Sequence, residues 1–97
     1  SSEIYEKDIF QNLIKSADES IKKLEKMNEE FITMAGTIKK AMSGAKFNTT
    51  KELNEFVKST KEATKVSEQQ AKAMQQIEKL NALKIKSENE LQKLEQQ

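Results

Sequence analysis

From Phe10 onward the apolar residues step by fours and threes along a stretch without proline: Phe10, Ile14, Ala17, Ile21, Leu24, then Asn28, then Phe31, Ala35, Ile38 and Met42. A 3-4 repeat sustained over more than four heptads commits this segment to an amphipathic helix that packs along another helix. Leu13, Met27, Met34 and Ala41 fall on the neighbouring g positions and Ile32 on an e position. The stripe is therefore wider than a two-stranded seam, and it predicts more than one packing neighbour, a third helix supplied by the chain folding back or by another subunit. On the opposite face Asp18-Lys22 and Glu19-Lys23 stand at i, i+4, where such pairs add about 0.2–0.5 kcal/mol each.

One segment interrupts the pattern. Gly44 follows the last periodic residue, where a left-handed C-cap is expected, and Thr49 with Glu52 forms a capping box that opens a second helix. From Thr50 there is neither Pro nor Gly. Leu53, Phe56 and Val57 begin the second apolar pattern. Thr60, Ala63, Thr64, Val66, Ser67 and Ala71 give it a small-residue middle, and Ala73, Met74, Ile77, Leu80, Leu83, Leu91 and Leu94 resume it. The fold expected is all-α, a long antiparallel helical hairpin or a three-helix bundle. It forms a single helical domain over 1–97, with a helix over about 3–43, a turn at 44–49 and a helix over about 50–96. Equal rise on both sides of the turn predicts that facing positions add up to about 93. Ala17 is then set near Ile77, and the residues through Glu90 to Gln97 overhang the first helix.

Composition narrows the chemistry. His, Cys, Pro and Trp are absent, and every basic side chain is lysine. Cysteine or histidine nucleophile systems, zinc fingers and disulfide frameworks are excluded, and so are guanidinium forks for phosphate or carboxylate. Seventeen Lys against sixteen acids leave a net charge of +1, divided 8 Lys to 8 acids through residue 48 and 9 to 8 after it. With no basic arm the chain is expected to bind no nucleic acid, and with no apolar run near 20 residues it inserts in no membrane. Carboxylate pairs such as Glu29-Glu30 and Glu88-Glu90 read as solvated helix faces. Met27, Met34, Met42 and Met74 read as filling for apolar faces. No catalytic residue, cofactor or metal is expected.

Four positions are candidate partner contacts. Asn28 interrupts the seam, either as a solvated or satisfied helix residue or as a buried amide that sets the register of an oligomer. Gly36 lies inside the first helix at a cost of about 1 kcal/mol relative to Ala. It either admits another helix closely or sits on an exposed face. Phe47 is an aromatic in a polar turn, and it either folds back over the end of the core or stands out as an anchor. Met42 ends the seam beside the turn. Asn48-Thr49-Thr50 matches a glycosylation sequon, although helix capping accounts for its threonines.

The opening Ile4 to Lys15 (IYEKDIFQNLIK), the segment Phe47 to Phe56 (FNTTKELNEF) and Leu80-Asn81-Ala82-Leu83 in a Gln-rich final helix together resemble the minor pilins of bacterial type IV secretion systems, most of all the short Bartonella form. The resemblance implies a bundle of long helices with a smaller helical appendage. It further implies an exported subunit, its signal peptide removed, located in the periplasm and at the cell surface on the pilus. Such a subunit contacts the major pilin, other secretion-apparatus subunits or itself, and host cells. This chain has only a short turn where the appendage would stand. Small secreted hairpins of the Trp-x-Gly class form the alternative, with Met42-Ser43-Gly44 at the place of their motif but without its Trp. A helical secretion chaperone or adaptor also fits the composition.

Overall fold

Every backbone amide inside a helix bonds to its own chain, so a sequence free of proline can carry one helix as far as its apolar stripe finds cover. The computed structural model describes residues 2–97, and two such helices account for most of them. Helix α1 spans Ser2–Ser43 and α2 spans Thr50–Glu95, an all-α helical hairpin without a strand among the described residues. Because α2 runs unbroken, the chain does not fold back to supply a third helix. The hairpin form of the expectation holds, and a bundle would need a helix from elsewhere.

The shielded residues of α1 are the seam positions read from the sequence, from Phe10 through Met42 in steps of four and three. In α2 the shielded line runs Phe56, Ser59, Ala63, Val66, Gln70, Ala73, Ile77, Leu80, Lys84, Ser87, Leu91 and Leu94. This is an equally regular heptad line, but four of its positions are polar. Only Ala17, Ile21, Val66, Ala73 and Ser87 are buried among the described residues. The core is therefore one side chain thick. The chain divides into two units, each with its own part of the seam: Lys26–Ala73 forms one, and the start of α1 as far as Glu25 pairs with α2 from Met74 onward in the other.

The turn corrects one expectation. Gly44 does not adopt the left-handed conformation, and no described residue has a positive φ. Instead α1 ends by tightening: Ala45 N–H donates to the Met42 carbonyl at 3.1 Å, and Ser43 Oγ donates to the Lys40 carbonyl at 2.7 Å. Two otherwise unpaired C-terminal carbonyls are thereby satisfied without a glycine cap. At the start of α2 half of the expected box is present, with the Glu52 carboxylate meeting the Thr49 hydroxyl in place of its backbone N–H. Glu52 N–H donates to Thr49 Oγ1 at 3.1 Å, and the Thr49 hydroxyl lies 3.1 Å from Glu52 Oε1.

The register also differs from the sequence reading. Asp18 pairs with Lys84, not with a residue near 75, so facing numbers add to 102 there. Near the turn Ala45 shares a groove with Glu52 and Phe56, and near the termini Phe10 shares one with Glu90 and Leu94. The pairing is thus displaced by about nine residues, or two and a half helical turns at 3.6 residues each, from the symmetric hairpin. The register places the end of α1 at Ser43 level with about Ser59, so the residues of α2 from Thr50 to about Lys58 have no helical partner opposite them. The far end compensates, and Glu90, Lys93, Leu94 and Gln97 lie alongside Glu6, Ile9 and Phe10 instead of overhanging them.

Candidate interaction surface

In an antiparallel pair the g positions of both helices border one flank of the seam and the e positions border the other. The g flank is lined by Met34, Glu62 and Gln69 in one unit and by Glu6 and Glu90 in the other, where grooves open between the helices. Several large apolar side chains stand on this flank with much of their surface in water: Leu13 at 36%, Met27 at 44%, Met34 at 47% and Leu83 at 41% exposed. Fully burying such a side chain is worth about 1.5–3 kcal/mol, and since each is already more than half covered, less than half of that remains for association in either unit. The e flank also carries exposed apolar side chains, Ile32 at 53% and Leu53 at 49% in one unit and Met74 at 56% in the other. Lys84 reaches out of the seam to Asp18 at 2.8 Å and to Glu88 at 3.9 Å.

Among the candidate contacts, Asn28 carries the strongest signal. It occupies its seam position, and its Oδ1 is buried with no hydrogen-bond partner. The register sets it level with Ala73, a buried methyl that offers no donor. A buried carbonyl left without a donor costs about 1–3 kcal/mol, so Asn28 is not the satisfied helix residue that the first reading supposed.

Gly36 resolves toward the exposed alternative. A Cβ built there meets no atom within 4 Å, so no helix of this chain approaches it. Met42 is half-buried in the seam and belongs to the core between the helices. Phe47 folds back, its ring meeting that of Phe56 edge-on at a centroid distance of 4.8 Å, yet 57% of it remains exposed. It braces the turn and still presents a face to solvent. The four candidates do not form one site: Asn28 and Met42 lie in the seam, Gly36 on the outer face of α1 and Phe47 at the turn.

Sequence reasoning missed Ser59, Gln70, Lys84 and Ser87 as seam positions because it followed apolar residues. Leu53, Val57, Thr60, Thr64 and Met74, which it took for the stripe, are exposed. Strict 3-4 counting outward from Val66 and Ala73 would have found the right line. Among the described residues no helix is long and apolar enough to cross a membrane. No family model matches the chain, and no curated protein or solved structure matches it either.

Proposed function

We propose that this protein is a non-enzymatic helix-packing subunit, exported and assembled into a bacterial type IV secretion pilus with the major pilin or other secretion-apparatus subunits, and in contact with host cells there. The observation that supports an interaction role is the row of exposed apolar residues along each flank of the seam, Leu13, Met27, Met34 and Leu83 on the g side and Ile32, Leu53 and Met74 on the e side. A chain that needed only its own hairpin would gain solubility by making that row polar. The placement in a pilus rests on the resemblance of Ile4 to Lys15, Phe47 to Phe56 and Leu80 to Leu83 to minor pilins.

Two measurements test the proposal. Sedimentation of the purified chain at micromolar concentration, alone and mixed with purified major pilin, is expected to show a larger species in the mixture. Deletion of the gene is expected to reduce pilus assembly, with recovery on complementation. A monodisperse monomer that ignores the major pilin, from a strain whose pili are unchanged, would remove the pilus assignment.

A further inference from the structure

The seam is not the only line of 3-4 spacing on these helices. Within the unit Lys26–Ala73 the e and b positions of α2, Leu53, Val57, Thr60, Thr64, Ser67 and Ala71, form a second line without a charge, and all of them are exposed. The six charged residues of the same stretch, from Glu55 to Glu68, fall on the other side at c, f and g. The Thr60 and Thr64 hydroxyls donate to the carbonyls of Phe56 and Thr60, each at 3.0 Å, so they need no partner from outside. A line held at 3-4 spacing keeps a fixed angle to the seam, and each helix of a four-helix bundle carries two, one for each neighbour.

The corresponding line of α1 in this unit is Glu29, Ile32, Gly36 and Lys39. Met34 and Ile38 share a groove with Glu62, Val66 and Gln69, which sets Ile32 near Ser67 on the flank that carries the α2 line. Ile32 is 53% exposed, and one turn on, Gly36 leaves a dent in which an added Cβ would meet no atom within 4 Å. Glycine weakens a helix interior, and nothing inside the hairpin requires it here. The order of acid, knob, dent and lysine, spaced by three, four and three residues, is its own complement when reversed. An antiparallel copy sets Ile32 over Gly36 and Glu29 against Lys39, twice over. The α2 line behaves alike: Thr64 meets Ser67, Thr60 meets Ala71, and Lys61 stands beside Glu68. The two centres, between Ile32 and Gly36 and between Thr64 and Ser67, lie within about two residues of the same level, so one two-fold axis serves both helices. Lys39 and Lys61 have no acid three or four residues away, while Glu29 has Lys26, and Glu68 has Lys65 and Lys72, at those spacings and unbridged among the described residues. Lys26 and Lys40 meet at the solvent edge of this pairing, where salt screens their repulsion.

We propose that this face of the unit Lys26–Ala73 binds a second copy of the chain about a two-fold axis, α1 against α1 and α2 against α2, to form an antiparallel four-helix bundle. Ile32 fills the dent at Gly36 of the other copy, and the Glu29–Lys39 and Lys61–Glu68 pairs edge the contact. A foreign helix gives no reason for two lines of this chain to match their own reversals about one level. The inference deepens the interaction reading by naming its partner and does not depend on the pilus assignment. A dimer that ignores the major pilin upholds this inference and removes that assignment, and a monomer that binds the major pilin does the reverse.

Sedimentation equilibrium of the full chain over micromolar concentrations is expected to show a species of twice 11.1 kDa. Gly36→Leu fills the dent while favouring the helix, so circular dichroism should show no loss of helicity although the dimer dissociates about tenfold more readily. Glu29→Lys is expected to weaken the dimer about tenfold, as two exposed ion pairs turned to repulsion would, and Glu29→Lys/Lys39→Glu to return it to within about threefold of the wild type. Ile32→Lys should leave a monomer. Met34→Lys, on the opposite flank of the same unit, should change the dissociation constant less than about twofold. A monomer at every concentration, a Gly36→Leu dimer as tight as the wild type, or a double swap that fails to restore association would overturn the proposal. So would equal losses from Ile32→Lys and Met34→Lys, which would assign the contact to the g flank.

Discussion

Lys84 Nζ lies 2.8 Å from Asp18 Oδ1 although Lys84 occupies a seam position of α2, where the heptad pattern asks for an apolar side chain. The register sets its aliphatic stem against Ala17, one of the most buried residues of the chain, while its ammonium escapes to the e flank. Its ammonium therefore links α1 and α2 on this flank through Asp18. The hydrogen bond to Asp18 raises the Lys84 pKa above its ordinary 10.5, with the charges of Asp18 and Glu88 acting in the same sense and desolvation against it.

This raised value predicts a pH dependence. The bridge's contribution is present in full below the unfolded value of about 10.5 and disappears as pH climbs through the higher folded value. The difference in Tm between the wild-type chain and Lys84→Gln should be positive near neutrality and shrink above about pH 10.5. Thermal unfolding followed by circular dichroism measures it, and a gap that does not change with pH would contradict the assignment.

Asn28→Leu should stabilise the chain. It replaces a buried, unpartnered carbonyl by an apolar group of similar size and removes a penalty of about 1–3 kcal/mol. Denaturant titration is expected to show a higher midpoint with the same slope. A lower midpoint, or a change in sedimentation, would show instead that Asn28 finds its donor in another chain and selects the oligomer.

Ser87 is 2% exposed in the seam, level with Ile14. Enlarging it to Leu should cost about 1–3 kcal/mol through overpacking. Ser87→Ala keeps the volume small and should move the midpoint little. If the Leu variant is as stable as the wild type, the register stated here is wrong.

The two residues that shape the turn make separable predictions. Thr49→Ala removes the acceptor for the Glu52 amide and should cost about 1 kcal/mol. Phe47→Ala loses the edge-on contact with Phe56, worth about 0.5–1.5 kcal/mol, while exposing little new surface. The two changes lie close enough to couple, so the double variant should fall short of their sum.

The sequence already contained the helices and the break between them, because heptads, a capping box and the lack of proline all act locally. The α1 seam was legible for the same reason, Asn28 included. What escaped was non-local. The register, which sets Ser43 level with about Ser59, is encoded by no propensity, and the α2 seam is defined by what α1 covers, so Lys84 and Ser87 look like surface residues until Asp18 and Ile14 stand beside them. The flanks were half legible: Leu13, Met27, Met34 and Ile32 were read as widening the α1 stripe, whereas Leu53 and Met74 were taken for the α2 seam itself.

The division of the hairpin at Ala73 also bears on how the chain closes. The segment Lys26–Ala73 is one unbroken run of sequence whose ends are brought together by a turn of a few residues. The remaining contacts join pieces separated by that entire run, about three doublings of loop length beyond the turn, or roughly 2 kcal/mol more in closure entropy if they form first. Pairing is thus favoured to begin beside Phe47 and Phe56 and to advance like a zip toward the termini. In hydrogen exchange, amides near Leu80 should open ahead of those near Val66, and the reverse order would exclude such a zip.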